Sequence, residues 1–256
     1  MTALADLIAS MVPTDDGYRV TVPPGWLQGR TAYGGLSSAL ALHAAKASDV
    51  DLPPLRSALI AFVGPLSGEV IVSAKRLRRG RNAAFVEATI TSDAGLGYRA
   101  TFVFMADIAS TIVHDVSVPT AHRPPAPGAE LYRGPPEFFT GNFEFKDLKD
   151  HAGPAEWLRW GRLVERDGLD AEVELIAIAD ALPPAAFKLH KGMAPMSSLT
   201  WIVNLLVPRP TTTDGWWLLT ATTDRAIGGY SSQRMTLWNA DGVPVVDAMQ
   251  GVAVFV

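Results

Sequence analysis

Three residues in the last third of the chain are of types that could do chemistry together: a carboxylate, a hydroxyl and a carboxamide. Asp180 closes the largely apolar run VELIAIAD. A lone carboxylate is costly to bury unless something bonds to it, and one held beside a water can accept its proton. The plainer alternative is a helix end that leaves Asp180 in solvent. Gln250 lies in the closing stretch VPVVDAMQGVAVFV, where alternation sets Val246, Ala248, Gln250, Val252 and Val254 on one face. A carboxamide within an apolar stripe needs partners, and a site, a neighbouring strand or a water could each supply them. Ser198, by the same counting, shares a face with Thr200, Ile202, Asn204 and Leu206. Asn204 is a further polar candidate there, although a surface strand has the same pattern.

Earlier in the chain, Gly34 and Gly35 open an Ala-rich run and are candidates for close backbone approach to a ligand. The basic turn Arg76, Arg78, Arg79 and Arg81 could meet phosphate groups, or be a solvated hairpin tip. Trp216, Trp217 and Trp238 read as core packing rather than ligand stacking. The five His show no metal-ligand spacing, and the lack of Cys removes thiolate sites and disulfides. No G-x-S-x-G elbow or phosphate-binding Gly-rich motif occurs. The net charge of -4 argues against a nucleic-acid partner.

The elements that must position these residues repeat along the 256 residues. Each half reads as a strand, a helix and a run of antiparallel strands. In the first half a strand at Tyr18 to Val22 precedes a helix from Gly34 to about Ser48. The strands LRSALIAFVGP, EVIVSAKRLRRG, NAAFVEATITSD and YRATFVFMA follow. In the second half AEWLRWGRLVE precedes a helical DAEVELIAIADALPPAAF, stopped by Pro183 and Pro184. Four more strands run to the C-terminus. Pro65 and Pro208 occupy matching places after the first strand of each run. The two last-hairpin turns, at Gly95 and at Asp241-Gly242, align Gln250 with Val103. Between the halves, 107–153 is rich in Pro, Gly and His and reads as a connection. The expected domains are 1–106, a linker 107–153, and 154–256. Both helices are nearly all apolar, which asks for enclosure on most sides. The expectation is an α+β double hotdog, each repeat a long helix wrapped by a curved antiparallel sheet.

RTAYGGLSSALALHAAKAS resembles the helix-entry segment of the acyl-CoA thioesterase II family, and RLRRGRNAAFVEATITSDAG resembles that family's strand pair around a basic turn. ELIAIADALPP, MSSLTWIVNLLVP, GWWLLTATT and ADGVPVVDAMQGVAVFV then follow in family order. The resemblance implies an Asp, a Ser or Thr, and a Gln that together orient a water against a thioester carbonyl. They fall on Asp180, Ser198 and Gln250. Ser197 and Thr200 are near alternatives for the hydroxyl, because SSLTWIVNLL lacks the family's usual acidic and His residues. It further implies an acyl-CoA substrate in fatty-acid metabolism, no metal or cofactor beyond the CoA of the substrate, and a homo-oligomer. Substrate contacts are expected from Gly34, Gly35, Arg79 and Arg81.

Two other activities stay open at this level: a hotdog-type hydratase or dehydratase, and a non-catalytic acyl-CoA binding protein. The N-terminus lacks the pattern of a signal peptide, and no apolar run is of membrane-spanning length. A cytoplasmic, membrane-free protein is the expectation.

Overall fold

The computed structural model describes residues 2–192 and 195–256. A short helix α1 (Leu4–Ala9) leads into strands β1 (Val12–Thr14), β2 (Gly17–Val22), β3 (Leu27–Gln28) and β4 (Thr31–Ala32). Helix α2 (Gly34–Ala47) is followed by β5 (Leu55–Phe62), β6 (Gly68–Arg79), β7 (Ala83–Ser92) and β8 (Gly95–Met105). After a long irregular segment come β9 (Phe143–Asp147), β10 (Glu156–Leu163) and helix α3 (Ala171–Ala179). The chain ends with β11 (Met196–Leu205), β12 (Trp217–Ile227), β13 (Tyr230–Asn239) and β14 (Pro244–Val254).

One antiparallel sheet of twelve strands holds nearly all of this, in the order β1-β2-β6-β7-β8-β5-β11-β14-β13-β12-β10-β9. The order is mirrored about the β5–β11 junction. On one side β5 pairs with β8, then β7, β6 and β2. On the other β11 pairs with β14, then β13, β12 and β10. Leu59 faces Ile202 across the junction. All three helices and both halves of the sheet contribute to one apolar core.

Helices α2 and α3 lie antiparallel against each other. Gly35 at the start of α2 packs against Ala177 near the end of α3. At the other end, Lys46 of α2 binds Asp170 at 2.6 Å and Glu172 at 2.7 Å. Asp170 caps α3 by accepting the N–H groups of Glu172 and Val173. Glu172 is 4% exposed and also accepts the Leu55 N–H, so the first turn of α3 is tied to both α2 and β5. An acidic first turn and a basic last turn suit the two helix dipoles.

Three expectations change. The second helix has nine residues and ends at Ala179, short of the Pro183-Pro184 stop that the sequence marks. A proline ring clashes with the carbonyl four residues before it and offers no N–H to that carbonyl. Pro183 therefore ends the helix at Ala179, and Ala185–Leu189 forms a separate 3-10 turn. Within the segment read as a connection, Phe143–Asp147 is a strand on the sheet edge, its Phe143 and Phe145 wholly buried. The rest of the connection is largely exposed, pinned where Thr120 donates to Gly242 and Trp238 donates to Val118. Finally, with Pro65 set against Pro208, Ala58 matches Trp201. Ala58 pairs with Phe102 and Trp201 with Gln250, so the counterpart of Gln250 is Phe102, not Val103.

Candidate active site

A cavity of about 440 Å³ opens where the start of α2 meets the end of α3. Gly34 and Ser37 of α2, Phe62 at the end of β5, Tyr98 of β8 and Asp180 form much of its wall. Ser197, Ser198 and Leu199 at the start of β11 close another side.

Asp180 is the residue at which α3 stops, four positions after Ile176 and three before the proline that ends the helix. Its carboxylate is turned inward rather than into solvent. Oδ1 accepts a hydrogen bond from Nε2 of Gln250 at 2.8 Å. Burial pushes the Asp180 carboxyl up to about 7, against the opposing pull of Gln250 and of the Gly35 backbone N–H. Two tyrosines beside it, Tyr33 and Tyr98, are raised well above their ordinary value, first by burial and then by the Asp180 charge. The Tyr33 hydroxyl donates to the Ala177 carbonyl at 2.7 Å, and that of Tyr98 to Ser38 Oγ at 3.2 Å.

The two glycines are explained by this crowding. A Cβ on Gly34 would lie 2.6 Å from Oδ2 of Asp180 and 2.8 Å from the Phe62 ring. A Cβ on Gly35 would collide with the Ala177 carbonyl. Gly34 borders the cavity, whereas Gly35 lies behind it and serves the helix–helix approach. The first N–H groups of a helix have no intrahelical acceptor, so this close approach brings free donors next to the carboxylate.

Gln250 is 2% exposed and is not among the residues that border the cavity. It meets the site through Asp180, not by reaching the open space as the sequence implied. Its Oε1 accepts from Nε2 of Gln233 at 2.7 Å. Ser198 does reach the cavity, but not by simple alternation. Ser198 pairs with Val252 while Thr200 pairs with Gly251, so Leu199 is an extra residue. This bulge turns Ser198 onto the face of Gln250 and Trp201. Thr200, Ile202 and Asn204 stay on the exposed outer face, which removes Thr200 and Asn204 as site groups. Ser197 remains at the cavity edge.

Arg79 and Arg81 belong elsewhere. Strand β6 starts beside the cavity and its twelve residues end at Arg79, a run of roughly 35 Å at the strand rise. There Arg79 donates to the Val50 and Asp51 carbonyls and pairs with Asp49 at 3.0 Å, which holds the Asp49 carboxyl below its usual value. The cation that does border the cavity is Arg30, exposed and without an ion pair among the described residues. The sequence carried a signal for it, since Arg30 stands four residues before Gly34 in LQGRTAYGG. Trp216 and Trp217 are buried and Trp238 packs beside them, as core residues. Among the described residues, no group of three or more His, Asp or Glu is placed to hold a metal ion.

The family model for the acyl-CoA thioesterase C-terminal domain matches residues 115–254, and that for the N-terminal domain matches 22–105. The chain belongs to the acyl-CoA thioesterase family. It is a thioester hydrolase. No curated protein matches its sequence. Among solved structures, a conserved hot dog protein of unknown function from Alicyclobacillus acidocaldarius is similar, with a TM-score of 0.85 at 20% identity, over 100% of this chain and 99% of that one. A candidate thioesterase II from Thermobifida fusca superposes with a TM-score of 0.82 at 21% identity, over 100% and 98%. An acyl-CoA thioesterase II from Mycobacterium marinum gives 0.76 at 17%, over 98% and 96%. At such identities these likenesses establish the fold, a hotdog.

Proposed function

We propose that this thioesterase hydrolyses acyl-CoA to a carboxylic acid and CoA in the cavity between Gly34 and Ser198. The reading is carried by one observation: an inward-turned carboxylate, Asp180, is bound from behind by Gln250 and shares its cavity with the Ser198 hydroxyl. A water between Asp180 and Ser198 attacks the thioester carbonyl carbon, and Asp180 takes its proton. Negative charge collects on the carbonyl oxygen, where the N–H groups at the start of α2, at Gly34, can stabilise it. The tetrahedral species then breaks its C–S bond. The acid leaves, and the departing sulfur takes up the proton to give CoA-SH. Ser198 fixes the water, while Gln250 acts on it through Asp180, so much of the gain is orientation. The reaction so written uses no metal or redox cofactor; CoA enters as part of the substrate.

The mirrored strand order supports a double hotdog with repeats at 1–106 and 154–256 and the connection 107–153 between them. We also propose a homo-oligomer, since an apolar row lies on the outer face of the central strands. No helix of the described residues is long and apolar enough to cross a membrane; a cytoplasmic site of action remains part of the proposal.

The test is release of CoA, read with a thiol reagent, across a panel of acyl-CoAs. Asp180→Asn and Gln250→Ala are each expected to lower turnover more than about tenfold, a barrier change above roughly 1.4 kcal/mol. Full activity in both variants would remove this site.

A further inference from the structure

Behind Asp180 runs a chain of hydrogen bonds that points one way. The backbone N–H of Ala185 donates to Oε1 of Gln233 at 2.8 Å. Nε2 of Gln233 donates to Oε1 of Gln250 at 2.7 Å, and Nε2 of Gln250 donates to Oδ1 of Asp180 at 2.8 Å. Gln233 and Gln250 face each other directly across β13 and β14 and are 1% and 2% exposed. A carboxamide alone has two orientations related by a half-turn. Here the choice is fixed at its far end. A backbone N–H can only donate, so Gln233 must offer it oxygen and therefore offers nitrogen to Gln250. Gln250 must then offer oxygen to Gln233 and nitrogen to Asp180. The donor at the head of the chain has a local cause: Pro183 and Pro184 carry no N–H, and Ala185 begins a 3-10 turn with no side-chain cap. Its N–H is spare and finds Gln233.

We propose that Gln233 is a positioning residue of the hydrolysis, fixing the Gln250 carboxamide with its N–H toward Asp180 so that Asp180 is held as the carboxylate that takes the proton from water. The inference rests on the proposed role of Asp180. Were the carboxamide reversed, its oxygen would face the carboxylate and favour the protonated acid, which cannot act as a base. Gln233 touches neither the cavity nor its contents, so its effect must pass through Gln250.

The decisive variant is Gln233→Glu, of the same shape. An ionised Glu accepts from Ala185 but cannot donate to Gln250, so Gln250 turns its nitrogen toward Glu and its oxygen toward Asp180. The expected results are an acidic limb of the kcat/KM profile displaced upward by about one pH unit or more, an approximately tenfold lower rate on that limb, and a KM within about twofold of wild type. Titration of the Asp180 carboxyl carbon by NMR, without substrate, is expected to move in the same direction. A folded Gln233→Glu with its introduced carboxyl ionised, whose Asp180 titration and pH limb both match wild type, would overturn the proposal. Should that variant fail to fold, or its introduced carboxyl stay protonated and so still donate to Gln250, Gln233→Met removes the relay without adding charge, and an unshifted Asp180 titration in it overturns the proposal equally. A shifted NMR titration together with a fully active Asp180→Asn would instead overturn the assignment of Asp180, and this inference with it. The two failures are thus told apart.

Discussion

Asp180 is an inward-turned carboxylate with no salt-bridge partner among the described residues. Its listeners are a carboxamide and a helix-start N–H, and neither fully offsets the loss of water. The consequence is kinetic first. A base must be ionised, so turnover is expected to rise with pH through about 7, a limb absent from any residual activity of Asp180→Asn. The linkage to stability has the opposite sense. The folded-state value lies above the ordinary 3.8, so folding favours the protonated acid. That contribution is complete below about 3.8 and is lost as pH rises through about 7. Asp180→Asn, which cannot ionise, is expected to melt higher than wild type by a margin that widens between pH 4 and pH 8. The margin is worth up to a few kcal/mol, at about 1.4 per pKa unit. Thermal melts across that range check it, and a constant margin would contradict the raised carboxyl. Gly34→Ala probes the same contact from the other side. Ala favours a helix interior over Gly by up to about 1 kcal/mol, but at this first residue of α2 its Cβ intrudes on Oδ2 and the Phe62 ring, and such overpacking costs about 1–3 kcal/mol. A lower melting temperature is expected, with kcat/KM down at least about tenfold and circular dichroism unchanged.

At the scale of elements, the sequence disclosed the parts that obey regular periods and misled where one residue broke a period. The helix from Gly34, the strand runs and the inward face of Gln250 follow from composition and alternation. Counting by twos sets Ser198 on the wrong face, because the extra residue Leu199 has no sequence mark that such counting can detect. Arg79 and Arg81 stand out in the sequence by charge alone, and charge does not say which end of a strand it occupies. Gln233 has no such mark either, because a Gln in SSQRMTLWN looks like any surface position until the strand's inward face is known. These placements separate two kinds of arginine. Arg79→Ala should leave KM for acyl-CoA within about twofold while lowering the melting temperature, since it loosens the loop after α2. Arg30→Ala should raise KM several-fold, with less effect at high salt, because an exposed cation at the cavity acts through screened attraction. Steady-state kinetics at two ionic strengths distinguish them, and a reversed pattern would return the basic turn to the site. The far ends of the helices carry no such role. Glu172→Ala there should cost about 2–4 kcal/mol, leaving the Leu55 N–H without an acceptor and Lys46 without its better-buried partner.

For the whole molecule, the informative surface is the outer face of the strands that join the two halves. Leu59 on β5, Ile202 on β11 and Met249 on β14 stand side by side, because Leu59 pairs with Ile202 and Ile202 with Met249. Their exposures are 51%, 43% and 49%. Single apolar residues on a surface are ordinary, but a contiguous row across three central strands is a surface that water disfavours. The opposite face of the same strands packs the core through Trp201, Val203 and Ala58, so the row cannot turn inward: a one-residue slip would expose that core instead. The remaining way to cover it is another protein surface, and a second copy of the same patch is the economical choice for a closed, two-fold pair. Ile202→Lys places a charge at the centre of the row on a strand whose other face is untouched. It is therefore expected to leave the circular dichroism unchanged and to shift the protein from dimer to monomer in sedimentation velocity. If the wild type already sediments as a monomer at micromolar concentration, the row has some other reason and the proposed homo-oligomer is wrong.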